Sequence, residues 1–342
     1  MRSPKSETGP RTVLAIDVGA SKIASALVGA DGQVLLRSGR YPHANAGPRS
    51  VVATVLSSAR SCLASGEWRP QAIGIGVAAQ VDTSTGTVLY APNLGWRDYP
   101  LGPTIAEEFH LPVLVVNDAR AATVAEWRLG AGRGWKDLFC LSLGTGVGGS
   151  AVIGGRLAEG TRYAAGEVGH MTILAGGRRC HCPNRGCLEA YVGGWAIAER
   201  AQEAATQSER AGGPMVELAG SAKNITARTV FDAARAGDPL ANRIVQETES
   251  YLADGAVGIV NAFNPARLLL AGGVITGWPG MVRVVHEAVQ SRCQPPAARA
   301  EVVAAQFGEE APLIGAAVAA FERSGVFPGT SHGPESARPH TS

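Results

Sequence analysis

The sequence predicts an α/β protein in which two domains face a common cleft. A strand, a glycine turn, a hairpin, helices and a further strand follow one another twice along the chain, and this order indicates an internal duplication. At roughly 150 residues per domain, 342 residues are enough for two hydrophobic cores. We expect a small α/β domain at residues 13–125, a large one at 126–324, and disordered tails at 1–12 and 325–342.

The first block begins with an apolar run at residues 13–19 that stops at a glycine, and an alternating run at 23–28 follows it. Asp31 and Gly32 are typical of a hairpin turn and predict a third strand at 33–37. Apolar periodicity predicts the remaining elements of this block, which are a helix at 49–64, strands at 72–77 and 111–117, and a helix at 119–129.

The second block repeats this order. A strand at 138–143 stops at a glycine-rich segment, 144–149, and the glycine pair 154–155 joins strands at 150–153 and 156–157 in a hairpin. Later elements are predicted from their apolar periodicity: helices at 196–205, 226–236 and 239–261, a strand at 267–270, and a closing helix at 312–323. Packing of the closing helix on the small domain is one arrangement that this order allows.

Charge and hydropathy exclude several classes of function. The 31 basic and 29 acidic residues give a net charge of +2, so no strong field would attract nucleic acid or an anionic membrane. No apolar run approaches the roughly 18 residues of a membrane span, and residues 1–12 lack the apolar segment of a signal peptide. We therefore expect a cytoplasmic protein that binds neither nucleic acid nor membranes.

Three glycine turns follow predicted strands, at 17–22, 144–149 and 271–273. Glycine lets the backbone approach a phosphate closely and direct its N–H groups at the oxygens. None of the turns has the Walker A or Rossmann pattern, but three of them together with Asp17 favour a nucleotide phosphate and a cation held between the domains. The alternative for Asp17 is a carboxylate that caps a turn.

Asn117 and Asp118 end a predicted buried strand and begin a helix. An aspartate at this position is either the N-cap of the helix or a general base that points into the cleft, and the position alone leaves both open. Two further carboxylates lie nearby in the sequence of the second block. Glu167 precedes a cluster of cysteines and Glu189 follows it.

Three of the six cysteines, Cys180, Cys182 and Cys187, fall within eight positions, and His170 lies ten residues before the first. In a reducing compartment this spacing favours a metal site, and three thiolates with one imidazole complete a closed tetrahedral zinc shell. Free thiols are the alternative. His181 is an alternative fourth ligand, but a residue between two ligand cysteines tends to point away from the ion. The isolated cysteines are expected in the core: Cys62, Cys140 and Cys293.

Over about residues 13–322 the chain resembles a ROK-family sugar kinase, close to the bacterial glucokinases of that family. The most specific shared feature is Gly-Glu-x-Gly-His at 166–170, followed by C-x-C-x4-C-x-Glu at 180–189. The other matching segments agree in order: 15–22, 74–82, 91–96, 116–118, 144–149 and 264–273.

The resemblance implies an actin-like, ribonuclease-H-like pair of domains that closes on ATP and a hexose, in a homodimer. The implied reaction is the phosphorylation of a hexose 6-hydroxyl, most often glucose to glucose 6-phosphate, with Asp118 as the general base. Mg²⁺ would accompany ATP, and a structural zinc would shape the sugar site without entering the transfer. N-acetylmannosamine or another hexose as acceptor, and polyphosphate as donor, stay open.

The resemblance also implies the roles of individual residues. The residues that would bind sugar hydroxyls are Asn93, Asn117, Asp118, Glu167, His170 and Glu189. Those that would contact the nucleotide and its Mg²⁺ are Asp17, Gly19, Ser21, Lys22, Gly144, Thr145, Gly146, Gly272 and Gly273. The zinc ligands would be His170, Cys180, Cys182 and Cys187.

Three positions depart from the usual pattern of the family: Ala20, Ala79 and Ser150. Ala20 would add a methyl group near the phosphates. Ala79 borders the expected sugar site, so the choice of hexose depends on it most.

Two non-kinase classes and one other enzyme class are alternatives. Sugar-sensing repressors of this family carry a helix-turn-helix ahead of the core, and the 12 residues before the first predicted strand are too few for one. A non-catalytic sugar-binding protein would not need Asp17 and Asp118. A zinc-stabilised ATPase would not explain Asn93, Glu167 and Glu189 together.

Overall fold

A computed structural model describes residues 11–19, 22–43, 47–64, 66–207 and 213–324. Within these ranges the chain forms two halves, each built on one main sheet. The first half is the main sheet formed by strands between residues 12 and 117, with a smaller third sheet, and the elements packed on it; the second half is the main sheet formed by strands between residues 138 and 304 and the elements packed on that sheet. Arg11 and Thr12 are described, and the rest of both predicted tails lies outside the described residues, as do Ala20 and Ser21. The first strand begins at Thr12, one residue earlier than predicted.

The strands of the described chain are β1 (Thr12–Val18), β2 (Lys22–Gly29), β3 (Val34–Arg37), β4 (Tyr41–Pro42), β5 (Ala72–Val77), β6 (Gln80–Asp82), β7 (Thr87–Ala91), β8 (Trp96–Tyr99), β9 (Val113–Asn117), β10 (Leu138–Leu143), β11 (Val147–Ile153), β12 (Arg156–Leu157), β13 (Arg267–Ala271) and β14 (Glu301–Ala304). The helices are α1 (Pro48–Leu63), α2 (Leu101–Phe109), α3 (Asp118–Arg128), α4 (Glu189–Val192), α5 (Gly194–Gln207), α6 (Pro214–Ala219), α7 (Ala227–Arg235), α8 (Pro239–Phe263), α9 (Gly273–Gly277), α10 (Gly280–Arg292) and α11 (Ala311–Arg323).

The first sheet has the strand order β3-β2-β1-β5-β9, with β4 paired to β2. β1 and β2 form an antiparallel hairpin, whereas β5 runs parallel to β1 and β9 runs parallel to β5. Every residue of β5 is buried, because α1 covers one face of the sheet and α11 covers the other. The carboxyl ends of β1, β5 and β9 therefore meet at one edge of the sheet.

The closing helix α11 packs on the first sheet and on α3. A Cβ at Gly315 would lie 1.6 Å from the carbonyl oxygen of Ala121, so the backbones of α11 and α3 touch and only glycine fits. The predicted domain boundary between residues 125 and 126 falls inside α3. The division of the chain at that position stays a prediction.

The second sheet has the order β12-β11-β10-β13-β14. β10 and β11 are antiparallel, and β13 and β14 continue the sheet in parallel with β10. This pairing repeats that of β2-β1-β5-β9, so the two blocks of the sequence form the same local topology. One face packs against α5, α7, α8 and α10, and a smaller cluster around Trp127 and Leu269 covers the other.

Three features differ from the sequence prediction. The predicted glycine turn at 144–149 is wrong in its second part, because β11 begins at Val147 and its Gly148 and Gly149 pair with β10. The sheet β6-β7-β8 is not predicted, because its strands span three to five residues and polar turns separate them. The elements β4, β14, α2, α4, α6, α9 and α10 are also absent from the prediction.

None of the described helices is long and apolar enough to span a membrane. Cys62 and Cys140 are buried in the hydrophobic cores, as predicted. Cys293 is half-buried and packs against the core of the second half.

Candidate functional site

Asp17 lies near the carboxyl end of β1, at the edge of the sheet where β5 and β9 also end. Its side chain is half-buried, and burial is the main reason that its pKa rises to about 7. Repulsion by Asp118 raises the pKa of Asp17 further, whereas Arg40 lowers it. The carboxylates of Asp17, at the end of β1, and Asp118, just after β9, therefore lie within electrostatic range of each other at this edge, on either side of β5.

Asp118 is the first residue of α3, and Asn117 is the N-cap. The Asn117 Oδ1 accepts a hydrogen bond from the backbone N–H of Arg120 at 3.1 Å, so the predicted alternative that Asp118 caps the helix is wrong. Asp118 Oδ1 accepts hydrogen bonds from the Ala119 N–H at 2.8 Å and from Asn117 Nδ2 at 3.1 Å. Burial raises the pKa of Asp118, and its backbone hydrogen bonds oppose that rise.

Asn117 donates a second hydrogen bond from Nδ2 to the carbonyl of Ala79, at 3.1 Å. Its amide is thus bonded to protein at both ends, and it orients Asp118. The Ala79 side chain is buried in the core of the first half, and it is the Ala79 backbone that contacts Asn117. Asn93, the other predicted sugar-binding asparagine, is exposed in the 3-10 turn Pro92–Leu94.

Glu167 comes from the second half, just before the 3-10 turn Val168–His170. Its side chain is exposed, yet desolvation by its surroundings is the largest cause of a raised pKa. Asp118 and Glu189 raise the pKa of Glu167 further, whereas His170 and Arg120 lower it. These interactions indicate that Glu167 and Asp118 lie within electrostatic range of each other, one from each half of the chain.

Glu189 begins α4 and connects three segments of the second half. Its Oε2 accepts a hydrogen bond from the Val147 N–H at 2.9 Å, and its Oε1 accepts one from Trp195 Nε1 at 3.3 Å. A Cβ at Gly146 would lie 2.5 Å from Glu189 Oε2, so the glycine makes room for this carboxylate. Trp195 also donates its backbone N–H to the carbonyl of Thr145 at 3.1 Å. Glu189 therefore fixes the turn after β10 against α5.

The ligand atoms of the four predicted zinc residues lie within 4.8 Å of one another: His170, Cys180, Cys182 and Cys187. His170 Nδ1 is 3.8 Å from Cys180 Sγ, and the other two sulfurs are 3.7 Å apart. Three thiolates and an imidazole are the donor set of a closed tetrahedral metal site. His181 instead stacks on Trp195, with ring centroids 3.9 Å apart, so the ring of this alternative ligand packs away from the cluster.

Burial raises the pKa of the Cys180 thiol to about 12, and it also raises the pKa of Cys187. Hydrogen bonding with Cys182 acts on both thiols as a smaller influence. The thiols of Cys180 and Cys187 therefore hold their protons more tightly than an ordinary cysteine does in the absence of a cation. A bound metal ion has to displace these protons, which couples metal affinity to pH.

The predicted phosphate turns all lie at the carboxyl ends of strands. The Gly19 N–H donates to the carbonyl of Lys22 at 3.0 Å, which closes the turn between β1 and β2. His43 Nε2 lies 2.9 Å from the Gly19 carbonyl oxygen. Lys22 itself is exposed at the start of β2. Ser21 is outside the described residues.

The turn after β10 and the turn after β13 lie side by side. Gly144 donates its N–H to the carbonyl of Gly146 at 3.0 Å, and the side chain of Thr145 between them is exposed. Gly272 has φ of 94°, and a Cβ there would lie 2.4 Å from the carbonyl oxygen of Leu143 at the end of β10. Only glycine fits at this contact, whereas the space around Gly273 is open.

The sequence did not predict two residues of this region. Trp195 joins Glu189 to the cysteine segment, and nothing in its sequence context signals that role. Arg120 is 3% exposed on α3, and it lies near Glu167. An arginine among alanines in a helix that follows a buried strand was the available signal.

Two sheets of matching topology, with carboxylates and glycine turns at their strand ends, define an actin-like α/β protein. The sequence profile of the ROK family matches residues 13–323. The chain therefore belongs to the ROK family, and the family resemblance seen in the sequence is confirmed.

Curated relatives include a glucokinase from Halalkalibacterium halodurans, which is 32% identical over 89% of this chain and 93% of its own length. An N-acetylmannosamine kinase from Shigella flexneri is also 32% identical, over 90% of this chain and 98% of its length. A ROK glucokinase from Streptomyces griseus, solved in complex with glucose and AMPPNP, superposes with a TM-score of 0.81. It is 31% identical, and the match covers 91% of this chain and 99% of that one.

The relatives also include a protein that is not a kinase by name. A xylose repressor from Bacillus spizizenii is 27% identical over 88% of this chain, which corresponds to 75% of the repressor. Similarity to sugar kinases supports a kinase, and similarity to a repressor makes a direct test of activity necessary.

Proposed function

We propose that this chain is an ATP-dependent hexose kinase that transfers a phosphoryl group to the 6-hydroxyl of glucose, giving glucose 6-phosphate. The observation that carries the proposal is the state of Asp118. It is a desolvated carboxylate at a strand end, it is free from helix capping, and it lies near Asp17 and Glu167. The glucose and AMPPNP complex of the Streptomyces griseus relative supports both substrates.

Asp118 would act as the general base. Both of its hydrogen bonds from Ala119 and Asn117 fall on Oδ1, so Oδ2 is the oxygen that is available for a substrate proton. As the oxygen of the sugar 6-hydroxyl attacks the terminal phosphorus of ATP, Oδ2 of Asp118 would take the proton of that hydroxyl, and the bond between the phosphoryl group and ADP would break. The raised pKa of Asp118 brings it closer to neutral pH, where a general base works best.

The remaining sugar hydroxyls would be bound by Asn93, Asn117, Glu167, His170 and Glu189. A carboxylate only accepts hydrogen bonds, so Glu167 suits two adjacent hydroxyls that both donate. An N-acetyl group at C2 removes one of these donors and adds bulk. Glucose is therefore the preferred acceptor over the N-acetylhexosamines, with mannose intermediate because it inverts the 2-hydroxyl only.

On the nucleotide side, the turns at Gly19, 144–146 and 272–273 would face the phosphates, with Ser21 and Lys22 beside the first. Asp17 would hold Mg²⁺, which neutralises phosphate charge when it is bound. Gly19 and Gly144 donate their N–H groups within their own turns, so the other backbone N–H groups of these turns would position the phosphates.

His170, Cys180, Cys182 and Cys187 would hold a structural zinc ion, since their donor atoms converge and no position is left for water. The ion fixes the ring of His170 when it is bound, and it shapes the sugar site. The predicted homodimer and cytoplasmic location stay predictions.

A coupled assay of ADP release tests the proposal across glucose, mannose, fructose, N-acetylglucosamine and N-acetylmannosamine, with ATP and with polyphosphate as donors. Asp118→Asn is the matched control, because it keeps the shape of the side chain and removes the base. It should retain sugar binding and lose roughly 10²–10⁴-fold in turnover. No turnover of any sugar by the native chain, or near-normal turnover by Asp118→Asn, would contradict the proposal.

N-acetylmannosamine kinase is the second candidate, and the Shigella flexneri relative is the observation that favours it. The same panel decides between the two. A glucokinase has the higher kcat/KM for glucose, whereas an N-acetylmannosamine kinase has the higher kcat/KM for N-acetylmannosamine. A non-catalytic sugar sensor would bind sugars in the panel without releasing ADP.

A further inference from the structure

Arg120 is a buried cation on the helix that carries Asp118. Its side chain is 3% exposed, and Nη2 reaches the carbonyl oxygens of Glu159 at 3.3 Å and Ala165 at 3.4 Å. Nη1 is buried without a hydrogen-bond partner among the described residues. A buried guanidinium is stable only when its donors are satisfied, so this side chain requires an anion nearby.

Two carboxylates supply that negative charge. Glu159 and Glu167 both favour the charged form of Arg120, against the effect of its burial. The three groups bring together α3 from the first half and the segment 159–167 from the second. Because Asp118 and Arg120 are two residues apart on α3, the same helix turn holds the proposed base and this cation.

The segment 159–167 also contacts the first half at a second point. Tyr163 lies close enough to the side chain of Asp82, at the end of β6, to help lower its pKa to about 2, an effect to which the hydrogen bond from the Ser84 hydroxyl contributes most. Tyr163 has φ of 53°, in the left-handed region where residues other than glycine are strained. A strained residue persists where its surroundings hold it, so the strain at Tyr163 and its proximity to Asp82 indicate a defined position for the segment.

We propose that Arg120 is a positioning residue, which ties the segment 159–167 to α3 and holds Glu167 opposite Asp118. This inference rests on the proposed function, in which Asp118 and Glu167 contact the same sugar. Arg120 acts on the sugar only through Glu167. Tyr163 supports the same segment at a second point, near Asp82. Loss of the tether should weaken sugar binding and leave nucleotide binding unchanged.

Arg120→Met tests the tether, because methionine is an unbranched apolar side chain that can fill much of the buried space while it removes the donors to the carbonyls of Glu159 and Ala165. Arg128→Met is the matched control on the same helix, where the arginine pairs with Glu322 and stacks on Trp127. Tyr163→Phe removes only the hydroxyl and is the second variant. Hydrogen exchange of the backbone amides at 159–166, and KM for glucose and ATP, are measured for each.

In Arg120→Met we expect faster amide exchange in 159–166 and a rise of roughly tenfold in KM for glucose, with KM for ATP within about twofold. Tyr163→Phe should change both in the same direction by less, and Arg128→Met should change neither. A double-mutant cycle with Glu167→Gln should be non-additive, because both changes remove the same contact to sugar.

Unchanged exchange, an equal rise in both KM values, the same effect in Arg128→Met, or an additive cycle would each overturn the inference. If the native chain phosphorylates no sugar, the proposed function fails. The exchange of residues 159–166 then still decides whether Arg120 holds the segment.

Discussion

Asp17→Asn should stabilise the protein while it abolishes phosphoryl transfer. Burial, and to a smaller degree repulsion by Asp118, raises the pKa of Asp17 from the ordinary aspartate value of 3.8 to about 7 in the folded chain. A folded pKa above the unfolded one means that the folded state binds the proton more tightly. Stability is therefore lost as pH rises from about 4 to 7, the window between the two pKa values.

The size of the effect follows from that window. Raising the pKa from 3.8 to about 7 lowers the free energy of unfolding by about 4 kcal/mol at pH 8, where the native chain must hold Asp17 ionised. At pH 5 the folded carboxyl is protonated, and the same linkage lowers the free energy of unfolding by only roughly 1.5 kcal/mol. An asparagine is neutral at both pH values, so the variant should gain more stability at pH 8 than at pH 5.

Urea denaturation in the presence of EDTA measures this gain for both proteins at both pH values. Glu107→Gln, which neutralises an exposed carboxylate of α2, is the matched control and should change stability little at either pH. Equal stabilisation of Asp17→Asn at pH 5 and pH 8, or a loss of stability at pH 8, would refute the reasoning. Turnover should fall in the same variant, because the proposed Mg²⁺ ligand is lost, and a native level of turnover would contradict the placement of Asp17 in the nucleotide site.

Cys187→Ser should lose about one zinc ion per chain by elemental analysis. Its sugar binding should weaken, since the cysteine segment leads directly into Glu189. Elemental analysis that finds no zinc in the native protein would refute the metal site. As the pH is lowered, the kcat/KM for glucose should begin to fall before the pH reaches the ordinary aspartate pKa of about 3.9, because burial raises the pKa of Asp118 and protonation removes the base. A profile that is flat down to pH 4 would contradict this. The kcat/KM should be higher for glucose than for N-acetylmannosamine. Equal values would contradict the proposal that glucose is the substrate, but they would still be consistent with a hexose kinase.

The sequence was most informative where local composition decides the outcome. β10 has the predicted bounds, 138–143, because an apolar run lies between a charged residue and Gly144. The spacing of the cysteines predicted a cluster, and the expected orientation of flanking residues chose His170 over His181. Glycine alone was a poor guide, because Gly148 and Gly149 serve as strand residues in β11.

Contacts between the two halves could not be predicted in the same way. Whether Arg120 is buried depends on a segment about forty residues later in the chain, and no local pattern encodes that packing. The capping role of Asn117 likewise became visible only when its bonds to Ala79 and Arg120 were placed. Tertiary structure decides which of two adjacent polar residues caps a helix and which remains available for chemistry.

The docking of α11 on the first sheet has a consequence for biosynthesis. The first sheet is assembled from residues 12–117, but one of its faces is covered by a helix that ends at residue 323. A chain growing on the ribosome therefore exposes the apolar side chains of Val13 and Ala15 until residues 311–323 have been made. The second sheet, whose strands all lie between residues 138 and 304, can close earlier. The half that is made first is thus the half that finishes folding last.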